Sequence, residues 1–432
     1  MSEPIDRESV FTYAAPALKF GPGASDEVGN DLLSYGARSV LLVTDAGVAA
    51  TGHPARIAEQ MTSRGLQVTT YDRVRVEPTD ASMDEAIAFA REAGPFDAIV
   101  AVGGGSSIDT AKAVNLLTTN PGELMDYINA PVGKAQAPTR PLLPLVAIPT
   151  TTGTGAESTT ICVLDVLSLK VKTGISHARL RPTLAVVDPR LTTTQPAMVT
   201  ASAGMDILCH ALESYTARWY ADFEAKRPEQ RVPYCGANPI ADMWSEKALS
   251  LLAGAFRAAV REQPAAGEVS VAREQMAMAA TFAGLGFGNA GVHIPHANAY
   301  PIAGRVRDFR PPGYPDDEPI VPHGMAVSLT APEAFRFTFE AAPERHLHAA
   351  RLLDPVLAAE TGPGPDTLPR VLAALMRDIG IPNGLAEVGY GEEDVDDLVA
   401  GALKQQRLLA TAPRPVTDQD LASVFRRSME HW

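Results

Sequence analysis

The chain has little of several things. Only three of its 432 residues are cysteine, aromatics make up 6%, and bases (37) are outnumbered by acids (51). The cysteines, Cys162, Cys209 and Cys235, are odd in number and far apart. That excludes a disulfide framework and a C-x-x-C metal clip, and leaves them as reduced core residues. The net charge of -14 argues against nucleic acid as a partner, because phosphate binding needs a basic face. An anionic small molecule stays possible, since it needs only a local basic pocket. No apolar run reaches the roughly 18 residues that cross a bilayer, so no membrane partner is expected. The opening MSEPIDRESVFTYAA has no basic or apolar leader pattern and carries Glu3, Asp6 and Glu8. On this reading the protein is cytoplasmic.

What is present is an ordinary globular balance, 46% hydrophobic and 20% charged, in a length that suits two domains. Short apolar runs recur between helical patterns: SVLLVT (39–44), LQVTTY (66–71), DAIVAV (97–102), LVAIP (145–149) and TLAVVD (183–188). Near-continuous apolar strands separated by helices predict a doubly wound parallel sheet, an α/β, Rossmann-like domain. The alternating stretch 159–176 reads as a hairpin on the sheet edge. Beyond about Leu191 helical periodicity takes over, as in ADMWSEKALSLLAGAFRAAV and LPRVLAALMRDIG. The chain therefore divides into an α/β half, 1–191, and an all-helical half, 192–432.

Two polar loops follow strands of the first half. VAVGGGSSIDTAKAV sets Gly103, Gly104 and Gly105 between a strand and a helix, where backbone N–H groups and the helix dipole favour a phosphate. The alternative is a glycine turn capped by Ser106 or Ser107. IPTTTGTGAE follows the next strand and brings Thr150, Thr151 and Thr154; it has no Walker lysine. Loops at the carboxyl ends of parallel strands are where such sheets bind ligands. Asp45, ending LLVTD, is placed to accept from a ribose hydroxyl or to serve as a turn residue. GFGNAG (286–291) matches G-x-G-x-x-G in letters but follows a helical run, and reads as a helix-breaking turn.

The second half holds a different constellation. Asp206 and His210 lie four apart in the otherwise apolar DILCHALE, on one helix face. GVHIPHANAYP supplies His293 and His296, and VPHGMA supplies His323. Imidazoles with one carboxylate suit a divalent transition metal. The residues alone leave open which of these histidines would bind it.

Together these motifs resemble the iron-containing (group III) alcohol dehydrogenase family. The family's GGGS-x-x-D-x-A-K falls on Gly103 to Lys112, P-T-T-x-G-T on Pro149 to Thr154, and D-x-x-x-H on Asp206 and His210. The resemblance makes His296 the third metal ligand and His323, in P-H-G, the fourth. It implies a dehydroquinate synthase-like architecture. It also implies NAD(H) held by Asp45, Gly104, Gly105, Ser106, Asp109, Thr150, Thr151, Thr154 and Lys172, a resident Fe2+ or Zn2+, and a homo-oligomer. VRVEPTD, CHALESYT, GLGFGNAGVH and PERHLHAA are similar to the hydroxyacid–oxoacid transhydrogenase branch of the family. Members keep their nucleotide bound, oxidise 4-hydroxybutyrate to succinate semialdehyde, and return the hydride to 2-oxoglutarate. A nucleotide-releasing NAD-dependent alcohol dehydrogenase is the main alternative; a non-redox lyase of the dehydroquinate synthase type is a more distant one.

Where many members carry a second histidine four residues after the third ligand, this chain has Tyr300. Tyr300 and His293 are the expected proton-handling groups, with a core histidine satisfied by hydrogen bonds as the alternative for His293. Both acids of the expected reaction carry carboxylates, so a local cation is required. At least one of Arg305, Arg307 and Arg310, in the insertion between two ligands, is expected to provide it; a solvated charged loop is the alternative.

Overall fold

The computed structural model describes residues 7–432 except 170, 263–267, 315 and 317, and leaves the side chain of 229 undescribed; Glu3 and Asp6 of the opening segment thus lie outside the described residues. Two compact units emerge. One comprises Ala15–Thr194 with Pro264–Ala277; the other comprises Met1–Ala14, Gln195–Gln263 and Met278–Trp432.

Among the described residues the first unit has eight strands: β1 Ala17–Phe20, β2 Ser39–Asp45, β3 Gln67–Val74, β4 Ala98–Gly103, β5 Leu145–Pro149, β6 Ile161–Val166, β7 Val171–Ser176 and β8 Leu184–Val187. Six form one sheet in the order β1-β8-β5-β4-β2-β3, with every pairing parallel. Apolar runs suit such strands because both faces are covered. Leu41, Val43, Ile99, Ala101, Leu145 and Ala147 enter one core, and Val40, Leu42, Val100, Val102, Val146 and Ile148 the other. The helices are α1 Val28–Ser34, α2 Ala46–Ala50, α3 His53–Ser63, α4 Asp80–Ala93, α5 Gly105–Thr119 and α6 Leu124–Tyr127.

Two details differ from the sequence reading. The four-residue edge strand β1 went unread, because a short run with Leu18 exposed carries no clear period. The hairpin does form, but β6 and β7 make a separate two-stranded sheet and do not extend the main one. Its Cys162 and Leu164 pack with Met83 of α4 and Ile108 of α5. Alternation specifies a strand, not which layer it covers.

The second unit is helical. Its main members are α7 Ala197–Thr216, α8 Pro239–Arg261, α9 Val271–Ala290, α10 Ile294–Gly304 and α11 His323–Ser328, followed by further helices up to Arg427. The first turns of α9 group with the sheet unit. GFGNAG is not a turn, which corrects the expectation: α9 runs through it and ends at Gly291, φ +96°. A side chain at Gly286 would meet Ser245 Oγ at 2.7 Å, so glycine there serves tight packing. No described helix is long and apolar enough to cross a membrane.

Candidate metal centre and nucleotide loops

Helix α7 buries nearly everything it carries, from Thr200 through Thr216. Asp206 is 2% exposed and His210 4%. Burying a carboxylate costs several kcal/mol unless a positive partner meets it. The partners come from one turn further along α7 and from two later helices. His296, the third residue of α10, places Nε2 3.4 Å from Asp206 Oδ1. His210 Nε2 lies 3.6 Å and His323 Nε2 3.9 Å from the same oxygen.

Four donors set about 2.1 Å from a common ion in a tetrahedron stand about 3.4 Å apart, close to this spacing. Asp206 Oδ1 and His296 Nε2 are both buried, and neither has a hydrogen-bond partner. Such unsatisfied atoms are rare in native proteins unless an ion or water serves them. The residues thus fit a divalent cation. Asp206, His210 and His296 form the buried side of the group, and His323, 30% exposed, forms its open rim.

The electrostatics favour a cation too. Burial pushes the Asp206 carboxyl up, but the imidazoles of His210, His323 and His296 outweigh it and hold the pKa below the usual range. Burial draws His210 down to about 3, so its ring is neutral. For His296, burial opposes charge, yet Glu213 and Asp206 raise it to about 10. A ring flanked by two carboxylates marks a place where one positive charge belongs.

Three other residues shape this group, and none was singled out from sequence. Glu213, the last letter of DILCHALE, is fully buried, and its Oε1 lies 2.5 Å from His296 Nδ1. Its spacing was the available signal: an acid three residues after His210 and seven after Asp206 shares their face. Phe287 stacks on His210 with centroids 3.8 Å apart and planes 6° from parallel. Gly324 explains the P-H-G turn, since a side chain there would meet the Ser202 carbonyl oxygen at 2.0 Å and Asp206 Cβ at 2.8 Å. Only glycine lets α11 approach α7 closely enough to deliver His323.

His293 departs from expectation. It is wholly buried, its Nε2 pairs with Thr216 Oγ1 at 3.1 Å, and burial draws its pKa down to about 4. That is the setting of a core histidine satisfied by hydrogen bonding, closed to solvent. Tyr300 is half-buried, its ring 6.5 Å from that of His323. The three arginines are also placed otherwise than expected. Arg305 pairs with Asp397 at 2.5 Å, Arg307 with Asp394 and the Gly389 carbonyl, and Arg310 with the carbonyls of Asp308 and Asp316. All lie on the surface, where such pairs contribute little, and none of these contacts reaches the donor group.

In the sheet unit the two glycine- and threonine-rich loops lie against each other. The Thr150 N–H donates to the Gly103 carbonyl at 3.0 Å. A Cβ on Gly105 would come 2.8 Å from Thr154 Cγ2, and one on Gly104 3.3 Å from Thr151 Oγ1. Ser107 Oγ donates to Asp45 Oδ2 at 3.0 Å, while Asp45 Oδ1 accepts from the Val48 N–H and caps α2. Ser106 Oγ accepts from the Glu77 N–H at 3.2 Å. Neither serine caps α5, whose first N–H groups follow Gly104 without a side-chain partner. Gly104, Gly105, Ser106, Thr151 and Thr154 are partly open to solvent, while Thr150 is buried.

The remaining motif residues face inward. Lys112, fully buried, donates to the Ala156 carbonyl (2.8 Å), Thr159 Oγ1 (3.1 Å) and the Ile161 carbonyl (2.7 Å), tying the threonine loop to α5. Asp109 accepts from the Val163 N–H at 2.9 Å and faces Lys112 at 3.7 Å. Lys172 of the hairpin pairs with Glu77 and, at 3.4 Å, with Asp165.

Comparison with known proteins settles the family. Residues 15–189 match the iron-containing alcohol dehydrogenase model, and 229–429 match the model of that family's C-terminal domain. The chain belongs to the iron-containing alcohol dehydrogenase family. This family member is therefore an oxidoreductase. It is 44% identical to the mitochondrial hydroxyacid-oxoacid transhydrogenase of Bos taurus, a match covering 97% of this chain and 90% of the relative. The Homo sapiens protein of the same name is 43% identical over the same shares. Among solved structures, a 1,3-propanediol oxidoreductase superposes with a TM-score of 0.83 at 31% identity, covering 97% of this chain and 100% of that one. The sulfoacetaldehyde reductase of Bifidobacterium kashiwanohense, solved with NAD+, gives 0.80 at 26% identity, covering 98% and 99%.

These relatives correct the expected compartment. The cytoplasmic reading of this iron-containing alcohol dehydrogenase fails, because the curated relatives are named as mitochondrial. About a tenth of each lies outside the match, so the aligned residues need not carry an address.

Proposed function

We propose that this family member is a hydroxyacid–oxoacid transhydrogenase. It would move a hydride from 4-hydroxybutyrate through a tightly held nicotinamide nucleotide to 2-oxoglutarate, giving succinate semialdehyde and 2-hydroxyglutarate. The observation that carries the reading is the buried group of Asp206, His210 and His296 with His323 at its rim, spaced as one ion requires. The likeness to the transhydrogenases selects hydroxy and oxo acids over simple alcohols.

In this reading the sheet unit serves the nucleotide and the helical unit serves metal and substrate. Asp206, His210, His296 and His323 hold the ion, for which the donor set suits Fe2+ or Zn2+. A divalent cation bound there supplies Lewis-acid polarisation of a hydroxyl or carbonyl oxygen, and the nucleotide supplies the hydride acceptor and donor. Asp206 keeps the local charge low by offsetting one positive charge. His323, at the rim, leaves the open side to substrate. Tyr300, half-buried beside it, passes the hydroxyl proton towards solvent. Gly104, Gly105 and Ser106 offer the N–H groups that open α5 to a pyrophosphate. Thr150, Thr151, Thr154, Asp109 and Lys172 shape the loops around it, and Asp45 accepts from a ribose hydroxyl.

The test is an assay of purified protein with 4-hydroxybutyrate and 2-oxoglutarate and no added nucleotide. Succinate semialdehyde and 2-hydroxyglutarate should appear in equal amounts. Turnover only after NAD+ is added would establish the nucleotide-releasing dehydrogenase instead.

A further inference from the structure

The carboxylate of Glu213 is engaged on both oxygens within a fully buried setting. Its Oε1 meets His296 Nδ1 at 2.5 Å. Its Oε2 accepts from the His293 N–H at 2.6 Å and, more weakly, from the His296 N–H at 3.4 Å. His293 immediately precedes α10, and His296 is the helix's third residue. No side chain of α10's own segment caps that end. One acid on α7 therefore caps α10 from outside and grips the ring of a residue in its first turn.

Geometry fixes what that grip does. A deprotonated carboxylate only accepts, so His296 Nδ1 must carry the proton. In the neutral ring that a metal requires, the lone pair then resides on Nε2, the atom that faces Asp206 Oδ1. A ligand histidine whose far N–H bonds to a carboxylate has its tautomer set, its ring aimed and its basicity raised. We infer that Glu213 is the positioning residue of the metal centre: through His296 it sets tautomer and aim, and so the affinity of the group for a divalent cation. This rests on the metal-binding reading given above for Asp206, His210, His296 and His323. Phe287, stacked on His210, restrains the neighbouring ring by packing alone.

The experiment uses the full-length protein stripped with a chelator and titrated with Co2+ alone, with calorimetry for affinity and visible absorption for the ligand field. Glu213→Gln is nearly isosteric but turns one acceptor into a donor, and Glu213→Ala removes both. Either should weaken Co2+ binding by about 10–100-fold and shift the Co2+ absorption bands. In a His296→Ala background the same substitutions should change affinity by less than about twofold, because the path through the ring is gone. An equal loss in both backgrounds would mean that Glu213 acts only through the fold, and would overturn the inference. So would unchanged affinity and spectrum in Glu213→Gln. A different failure is separable from these. If the unaltered protein binds Co2+ no better than Asp206→Ala, the metal reading itself falls, and this inference with it.

Discussion

The donor group of the helical unit and the loops of the sheet unit manage polar atoms in opposite ways. In the helical unit, Asp206 Oδ1 and His296 Nε2 are buried within 3.4 Å of each other without a hydrogen bond. In the sheet unit, Lys112, Ser106, Ser107, Asp45 and Thr150 bond to one another's segments. The first arrangement is complete only with a cation. The second holds its shape through its own contacts and presents N–H groups outward. A buried group of facing donors calls for a cation between them, whereas a nucleotide needs only a preformed surface.

The contrast can be broken most directly at Asp206. Asp206→Ala should remove the metal and lower kcat by about 10³-fold, the several kcal/mol of Lewis-acid stabilisation that the ion supplies. Metal content and the two-substrate assay check it; a metal-free variant that kept its rate would end the contrast. Next comes the loop pair. Gly105→Val forces a side chain against Thr154, an overpacking cost of about 1–3 kcal/mol. Nucleotide affinity should fall while metal content stays, as read by titration with NAD+ and by metal analysis.

A pH test sharpens the account of the loops. Burial pushes Glu157, beside Lys112 and 3% exposed, up to about 7. A carboxyl whose folded pKa exceeds its unfolded one favours the fold at low pH. That contribution is lost as pH rises from 4.5 to about 7. Glu157→Gln does not titrate, so its stability relative to the unaltered protein should grow across that window, by up to about 3 kcal/mol. Unfolding midpoints at pH 4.5 and 7.5 provide the check, and a difference that stays flat with pH would contradict it. The smallest effect is expected at Arg305, Arg307 and Arg310. Alanine at each should change the Michaelis constants of both acids by less than about threefold, since their pairs are exposed. A larger rise at any of them would return it to the substrate site.

The sheet was legible because its strands are short, apolar and β-branched, and because helical periods separate them. The Asp206–His210 pair was legible because four residues make one helical turn. His296 and His323 are expected as ligands only through likeness to a family, since 86 and 113 residues separate them from His210. Glu213 is not marked by its neighbours in sequence: its partner ring is 83 positions away, and nothing local marks a buried acid as paired. Lys112 belongs to a local motif, yet two of its bonds go to the loop beyond the next strand and the third to the first residue of β6.

Local periodicity therefore determined most strands of the sheet and one face of one helix, because these depend on neighbours a few residues apart. Packing decided which histidines face Asp206, which is sealed in the core, and that the arginines turn to other partners. Burial and hydrogen bonding are properties of a neighbourhood assembled from distant segments, and no window along the chain contains it.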